Sequence, residues 1–92
     1  MSVSIDIQPD GEHEYVVRLE SGDEVADSWV HVAPEALAGL GVPVDREEAV
    51  VHRTVEFLLR HQEVPDFPRI VELEDVMASY ADFARAIGAG DL

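Results

Sequence analysis

The side chains able to do chemistry in this 92-residue chain are four histidines, twenty acids, six arginines and a few hydroxyls, with no cysteine and no lysine. Nearest to a ligand set is His52, between Glu48 and Glu56 at i−4 and i+4, a spacing that brings all three onto one helix face. A metal centre of that kind needs further ligands from a facing element. Neither HExxH nor HxxEH occurs, so the trio reads as a solvated face. His61 falls at the C-terminal end of the same helix, where an imidazolium complements the dipole. His13, between Glu12 and Glu14 beside a turn, reads as hydrated. His31 stands apart, because a titratable ring two residues from Trp29 suits a contact surface.

The remaining reactive types assemble into nothing larger. Ser21, Ser28 and Ser79 have no base at motif spacing and there is no G-x-S-x-G elbow. Gly39-Leu40-Gly41 lacks the lysine of a phosphate loop. The neighbouring acids Glu47 and Glu48, or Glu74 and Asp75, point apart on helices and read as N-terminal charges rather than an acid/base couple. Without cysteine there is no thiolate nucleophile, zinc ribbon or disulfide framework. A small sheet under two helices also leaves little room for a deep pocket. The expectation is a non-enzymatic protein with no cofactor and no metal.

Charge narrows the choice of partner. A formal net charge of −14 repels phosphate polymers and anionic lipid, which argues against nucleic acid and membrane and favours another protein, with basic character, as the partner. The start, Met1-Ser2-Val3-Ser4-Ile5-Asp6, has no basic region followed by an apolar run, and no stretch approaches the ~20 apolar residues of a membrane span. A cytoplasmic location is expected. Residues 33–62 are the least acidic segment, with five acids and three arginines. Arg46, Arg53 and Arg60 recur every seven residues, about 10.5 Å apart along a helix. This basic stripe either neutralises the chain's own acids, helped by the Glu56–Arg60 i, i+4 pair, or offers guanidinium forks to phosphate or to an acidic partner.

A 47% hydrophobic, 28% charged composition belongs to a folded chain, and this length fits a single α+β domain over 1–92. Val3, Ile5 and Ile7 alternate with polar residues, Pro9-Asp10-Gly11-Glu12 turns the chain, and Tyr15, Val17 and Leu19 alternate in turn. After Glu20-Ser21-Gly22-Asp23 a third strand follows, giving an antiparallel meander of about 3–8, 13–19 and 24–32. With Ala26, Ser28, Val30 and Val32 inward, Trp29 and His31 face outward beside Val16 and Arg18. These four form the candidate partner-binding patch, and an exposed meander edge makes a homodimer possible.

Pro34 opens a short helix of about 34–39, stopped by glycines and Pro43. Asp45 and Glu48 suggest a capping box for a central helix of about 46–62, whose apolar residues sweep more than half its circumference. Beyond the Pro65-Asp66-Phe67-Pro68 break, Leu73, Val76, Met77, Tyr80, Phe83, Ala84 and Ile87 form one stripe, which predicts a last helix of about 73–87 ended by Gly88, with 89–92 frayed.

The strand Trp29 to Val32, the Pro-Glu helix start, the glycine turn and the helix from Arg46 together resemble the ribbon-helix-helix DNA-binding and antitoxin family over about residues 28–62. In that family the strand pairs with its dimer mate and enters the major groove, which implies that role for Ser28, Trp29 and His31 and a DNA-binding regulator as the alternative function. None of those residues is cationic. Val30-His31-Val32-Ala33-Pro34-Glu35, Glu48-Ala49, and Glu72-Leu73 through Val76, Tyr80 and Phe83 also look like small uncharacterised bacterial proteins, a resemblance that implies a shared fold and no assigned site residues. The function expected from all of this is a small acidic protein-interaction or regulatory accessory domain.

Overall fold

A computed structural model describes residues 3–92. Its sheet has four strands in the order β1 (Ser4–Pro9), β2 (Glu14–Ser21), β3 (Glu24–His31), β4 (Ile70–Glu72). The first three form the expected antiparallel meander, joined by tight turns in which Gly11 and Gly22 take positive φ. The three-strand expectation is corrected by β4, which pairs parallel to β3. A parallel neighbour requires a crossover, and α1 (Pro34–Leu40) and α2 (Glu47–Leu59) supply it. At three residues, β4 is too short to show alternation in the sequence.

The central helix is shorter than the expected 46–62. Its N-cap is Arg46, without a side-chain cap bond, and Val44–Arg46 form a 3-10 turn, so Asp45 and Glu48 make no capping box. Helical bonding loosens at Arg60, where the N–H groups of Arg60 and His61 bond three residues back, ahead of a 3-10 turn at Val64–Asp66. The breadth of the apolar surface on α2 is explained by its position. Val50, Val51, Val55, Phe57 and Leu58 are all buried, as the helix packs on the sheet along one side and beneath the C-terminal helices along another.

The expected last helix is two helices, α3 (Leu73–Ser79) and α4 (Phe83–Ala86), separated at Tyr80, which adopts extended backbone. The break sets Tyr80 and Phe83 edge-on to Phe57 at 5.1 and 5.2 Å and leaves α4 free to turn across α2. Residues 89–92, expected to fray, contain a 3-10 turn (Ala89–Asp91) with Ala89 buried and Leu92 against the core.

All helices lie against one face of the sheet. The core between the layers takes Val17, Leu19 and Val30 from the strands, together with Ser28, whose hydroxyl donates to the Pro68 carbonyl at 2.7 Å. The other face has no layer over it. Among the described residues no helix is long and apolar enough to cross a membrane, and Arg18–Asp27 is the only Arg–carboxylate pair within 4.0 Å. Most of the −14 charge therefore stands without a local counter-ion, and added salt should relieve the repulsion. The thermal midpoint is expected to rise between about 0.05 and about 1 M NaCl; a flat or falling midpoint in a melting series would remove self-repulsion as a significant term.

Candidate functional site

Strand register builds the uncovered sheet face in rows. Gln8 pairs with Val16, Val16 with Trp29, and Trp29 with Ile70, so one row crosses all four strands. Its middle is apolar. Trp29 keeps 41% of its surface exposed and Ile70 keeps 70%, unusual values for large apolar side chains standing side by side. On one side runs Asp6–Arg18–Asp27, and on the other Glu14–His31–Glu72.

The first flanking row is internally paired. The Arg18 guanidinium donates through Nε to Asp27 Oδ1 at 3.0 Å and through Nη2 to Oδ2 at 3.3 Å. That fork holds the Asp27 carboxyl below its ordinary value and the Arg18 guanidinium above its own, each mainly through the hydrogen bonds to the other. The pairing fixes Arg18 beside Trp29. In the second row His31 sits between carboxylates on both neighbouring strands, yet among the described residues no three His, Asp or Glu side chains converge as a metal would need.

Trp29 forms a ridge between two shallow hollows. Asp6, Gln8, Val16, Arg18 and Asp27 line one. The other, of about 500 Å³, is lined by Glu14, His31, Arg69, Ile70 and Glu72. Concave space therefore exists where little was expected, including on the outside of the sheet. The residues Val16, Arg18, Trp29 and His31 do share this face, as alternation requires. The patch is larger than those four because β4 adds Ile70 and Glu72 and the preceding loop adds Arg69. Sequence spacing held no signal for that addition, since Ile70 lies forty-one positions from Trp29 and the two meet only through the crossover.

Two histidines depart from their expected roles. His13 is tied down rather than hydrated. It has φ of 62°, its carbonyl accepts from the Val32 N–H at 2.8 Å, and its Nδ1–H donates to Glu47 Oε2 at 2.9 Å. The Tyr15 hydroxyl donates to the other Glu47 oxygen at 3.0 Å. Glu47 is only 7% exposed, so it is an interior carboxylate joining α2 to β2 and the β1–β2 turn, and not merely a helix N-terminal charge. The hydrogen bond to Glu47 is the main cause of a His13 pKa raised above the ordinary 6.5, with the charges of Glu47, Glu12 and Glu35 adding to it. Burial, then the bond to Glu47, push the Tyr15 phenol up to about 12, which keeps it a donor at neutral pH. Both Glu47 oxygens are engaged by the chain itself, so the cluster acts as a structural tie.

His61 packs its ring on Tyr80 and Phe57 at centroid separations of 4.7 and 4.9 Å, a packing role beyond that of a helix-end charge. His52 lies on the exposed side of α2 with Nδ1 at 3.3 Å from Glu56. β3 is hydrogen-bonded on both edges, to β2 and β4, so neither edge is open to a second chain. No protein-family model, curated protein or solved structure gives a significant match to this chain.

Proposed function

We propose that this chain is a non-enzymatic protein-interaction or regulatory accessory module that works in the cytoplasm and docks a partner protein on the uncovered sheet face. The observation that carries this reading is the row Val16–Trp29–Ile70, an apolar strip on the uncovered sheet face in which Trp29 and Ile70 are exposed and Val16 is half-buried. Interface centres favour a large aromatic with apolar neighbours, and a polar rim around them excludes water. Here the rim is weighted to acids. Asp6, Glu14, Asp27 and Glu72 outnumber Arg18 and Arg69, and Arg18 is already paired with Asp27. A partner that presents apolar side chains ringed by lysine and arginine would match in shape and sign, and the −14 field would speed its approach. The test is affinity capture of partners from the source cell's extract with the wild-type chain and with Trp29→Ala side by side. Identical capture by both would show that this face is not the docking surface.

A further inference from the structure

Among the described residues five of the six arginines lie beyond 4.0 Å of any carboxylate, and three of those five gather at one place. Arg53 from α2, Arg60 at its C-cap and Arg85 from α4 line a single concavity with Glu56, Phe57, Ala86, Ile87 and Gly88. Among the described residues none of the three arginines lies within 4.0 Å of an Asp or Glu oxygen. Of the acids beside them, Glu56 contacts His52 instead, at 3.3 Å, and the Asp91 carboxylate lies near Gly88, 3.9 Å from where a Cβ on that glycine would stand, without coming within 4.0 Å of an arginine nitrogen. Like charges gathered without a counter-charge repel one another, so the fold rather than local electrostatics holds them together.

Arg53 is the member of the three that is held by a hydrogen bond. Arg53 Nη1 donates to the Ile87 carbonyl at 2.8 Å, at the carbonyl end of α4. Gly88 follows with φ of 68°, and a Cβ built on it would lie 2.9 Å from that same Nη1. The glycine therefore provides both the left-handed turn that ends α4 and the space in which the guanidinium seats. One N–H of Arg53 is used in this way, which leaves its other donors without a partner among the described residues, and Arg60 and Arg85 line the same hollow. All three side chains are exposed, while half-buried Ala86 and the edges of the buried Phe57 and Ile87 give the wall a small apolar part.

We propose that this hollow is a binding site for a small phosphomonoester, with the Arg53, Arg60 and Arg85 guanidiniums holding its dianionic phosphate. Three forked cations match a group with three equivalent oxygens and a double charge better than they match a single carboxylate. The concavity, about 380 Å³, has the dimensions of a small molecule. A nucleic-acid strand is disfavoured because its further phosphates would run over an anionic surface. The site stands apart from the uncovered sheet face and shares no residue with it.

The test is titration of the full chain with phenyl phosphate and, separately, with inorganic phosphate at low ionic strength, followed by the arginine Nε–H and backbone amide NMR signals. Saturable shifts confined to Arg53, Arg60, Arg85 and the Ile87–Gly88 amides are expected, weakened about tenfold or more by Arg60→Gln and by Arg85→Gln, as loss of a charge-assisted contact requires. Neither of those arginines has a hydrogen-bond partner among the described residues, so both variants should fold, whereas Arg53→Gln would also release the Ile87 carbonyl. Tighter binding of phenyl phosphate than of inorganic phosphate would assign the apolar wall to an organic ester. Equal binding would reduce the site to a general anion site and overturn the ester assignment. Absence of saturable shifts up to about 20 mM, where even millimolar binding would register, or shifts indifferent to both variants, would overturn the proposal as a whole.

Discussion

Glu47→Ala is expected to lower the unfolding free energy by about 2–3 kcal/mol, a large fraction of the stability of a domain this small. The side chain is nearly enclosed and accepts from both the Tyr15 hydroxyl and the His13 ring. Truncation removes both bonds and strands a part-buried phenol and an imidazole held beside it. The figure stays below the 3–5 kcal/mol typical of breaking a fully buried pair because His13 remains partly open to water. Glu47→Gln should cost less, since an amide oxygen can still accept one of the bonds. Urea unfolding of the three proteins checks the order, and an alanine variant within about 0.5 kcal/mol of wild type would show that the tie contributes little.

The same cluster sets a pH dependence. The folded state raises the His13 pKa above 6.5, so it favours the imidazolium. That stabilisation is complete below the ordinary value and fades as pH rises through the raised one. Stability should accordingly fall from about pH 6.5 upward, beyond the change that general self-repulsion produces. His13→Asn isolates the effect, because asparagine tolerates a φ of 62° and does not titrate. The wild-type curve minus the variant curve should slope downward over this range, and a flat difference would mean that the His13–Glu47 bond does not respond to proton binding.

Trp29→Ala should weaken partner binding by about 30-fold or more, the loss expected when a central aromatic worth about 2 kcal/mol or more is truncated. Its effect on folding should be small by comparison, since much of the ring already faces water and its neighbours stand on a face with no layer over it. The separation of the two readouts is the point: a loss of binding with an almost unchanged unfolding midpoint places the tryptophan in an interface rather than in the core. Ile70→Ala, its neighbour across the β3–β4 pairing, should act in the same direction with a smaller effect. If Trp29→Ala leaves captured partners and self-association as they were, another surface makes the contact.

The two C-terminal helices illustrate how far a periodic pattern reaches. Leu73, Val76, Met77, Tyr80, Phe83, Ala84 and Ile87 satisfy one helical stripe on paper, and most of them do face the core. A stripe records which side chains are buried, not whether the axis between them is straight. The break at Tyr80 brings Ile87 and Gly88 to Arg53, which a straight continuation carries no reason to do. Likewise the heptad spacing of Arg46, Arg53 and Arg60 suggests a stripe of three, whereas Arg46 precedes α2 and the third member of the cluster is Arg85, from another helix.

Alternation, with the turn residues around Gly11 and Gly22, was enough to fix the meander and the outward setting of Val16, Arg18, Trp29 and His31, because a strand's faces are decided by a period of two within a few residues. Composition fixed the sign and size of the charge. Only tertiary structure decided that Ile70 completes the row beside Trp29, that Glu47 turns inward to meet His13 and Tyr15, and that three arginines share one hollow. Each of those meetings brings in a residue twenty-five or more positions away, as Arg85 is from Arg60, and such distances are closed by the crossover of α1 and α2 and by the way the helices pack, which no local period encodes.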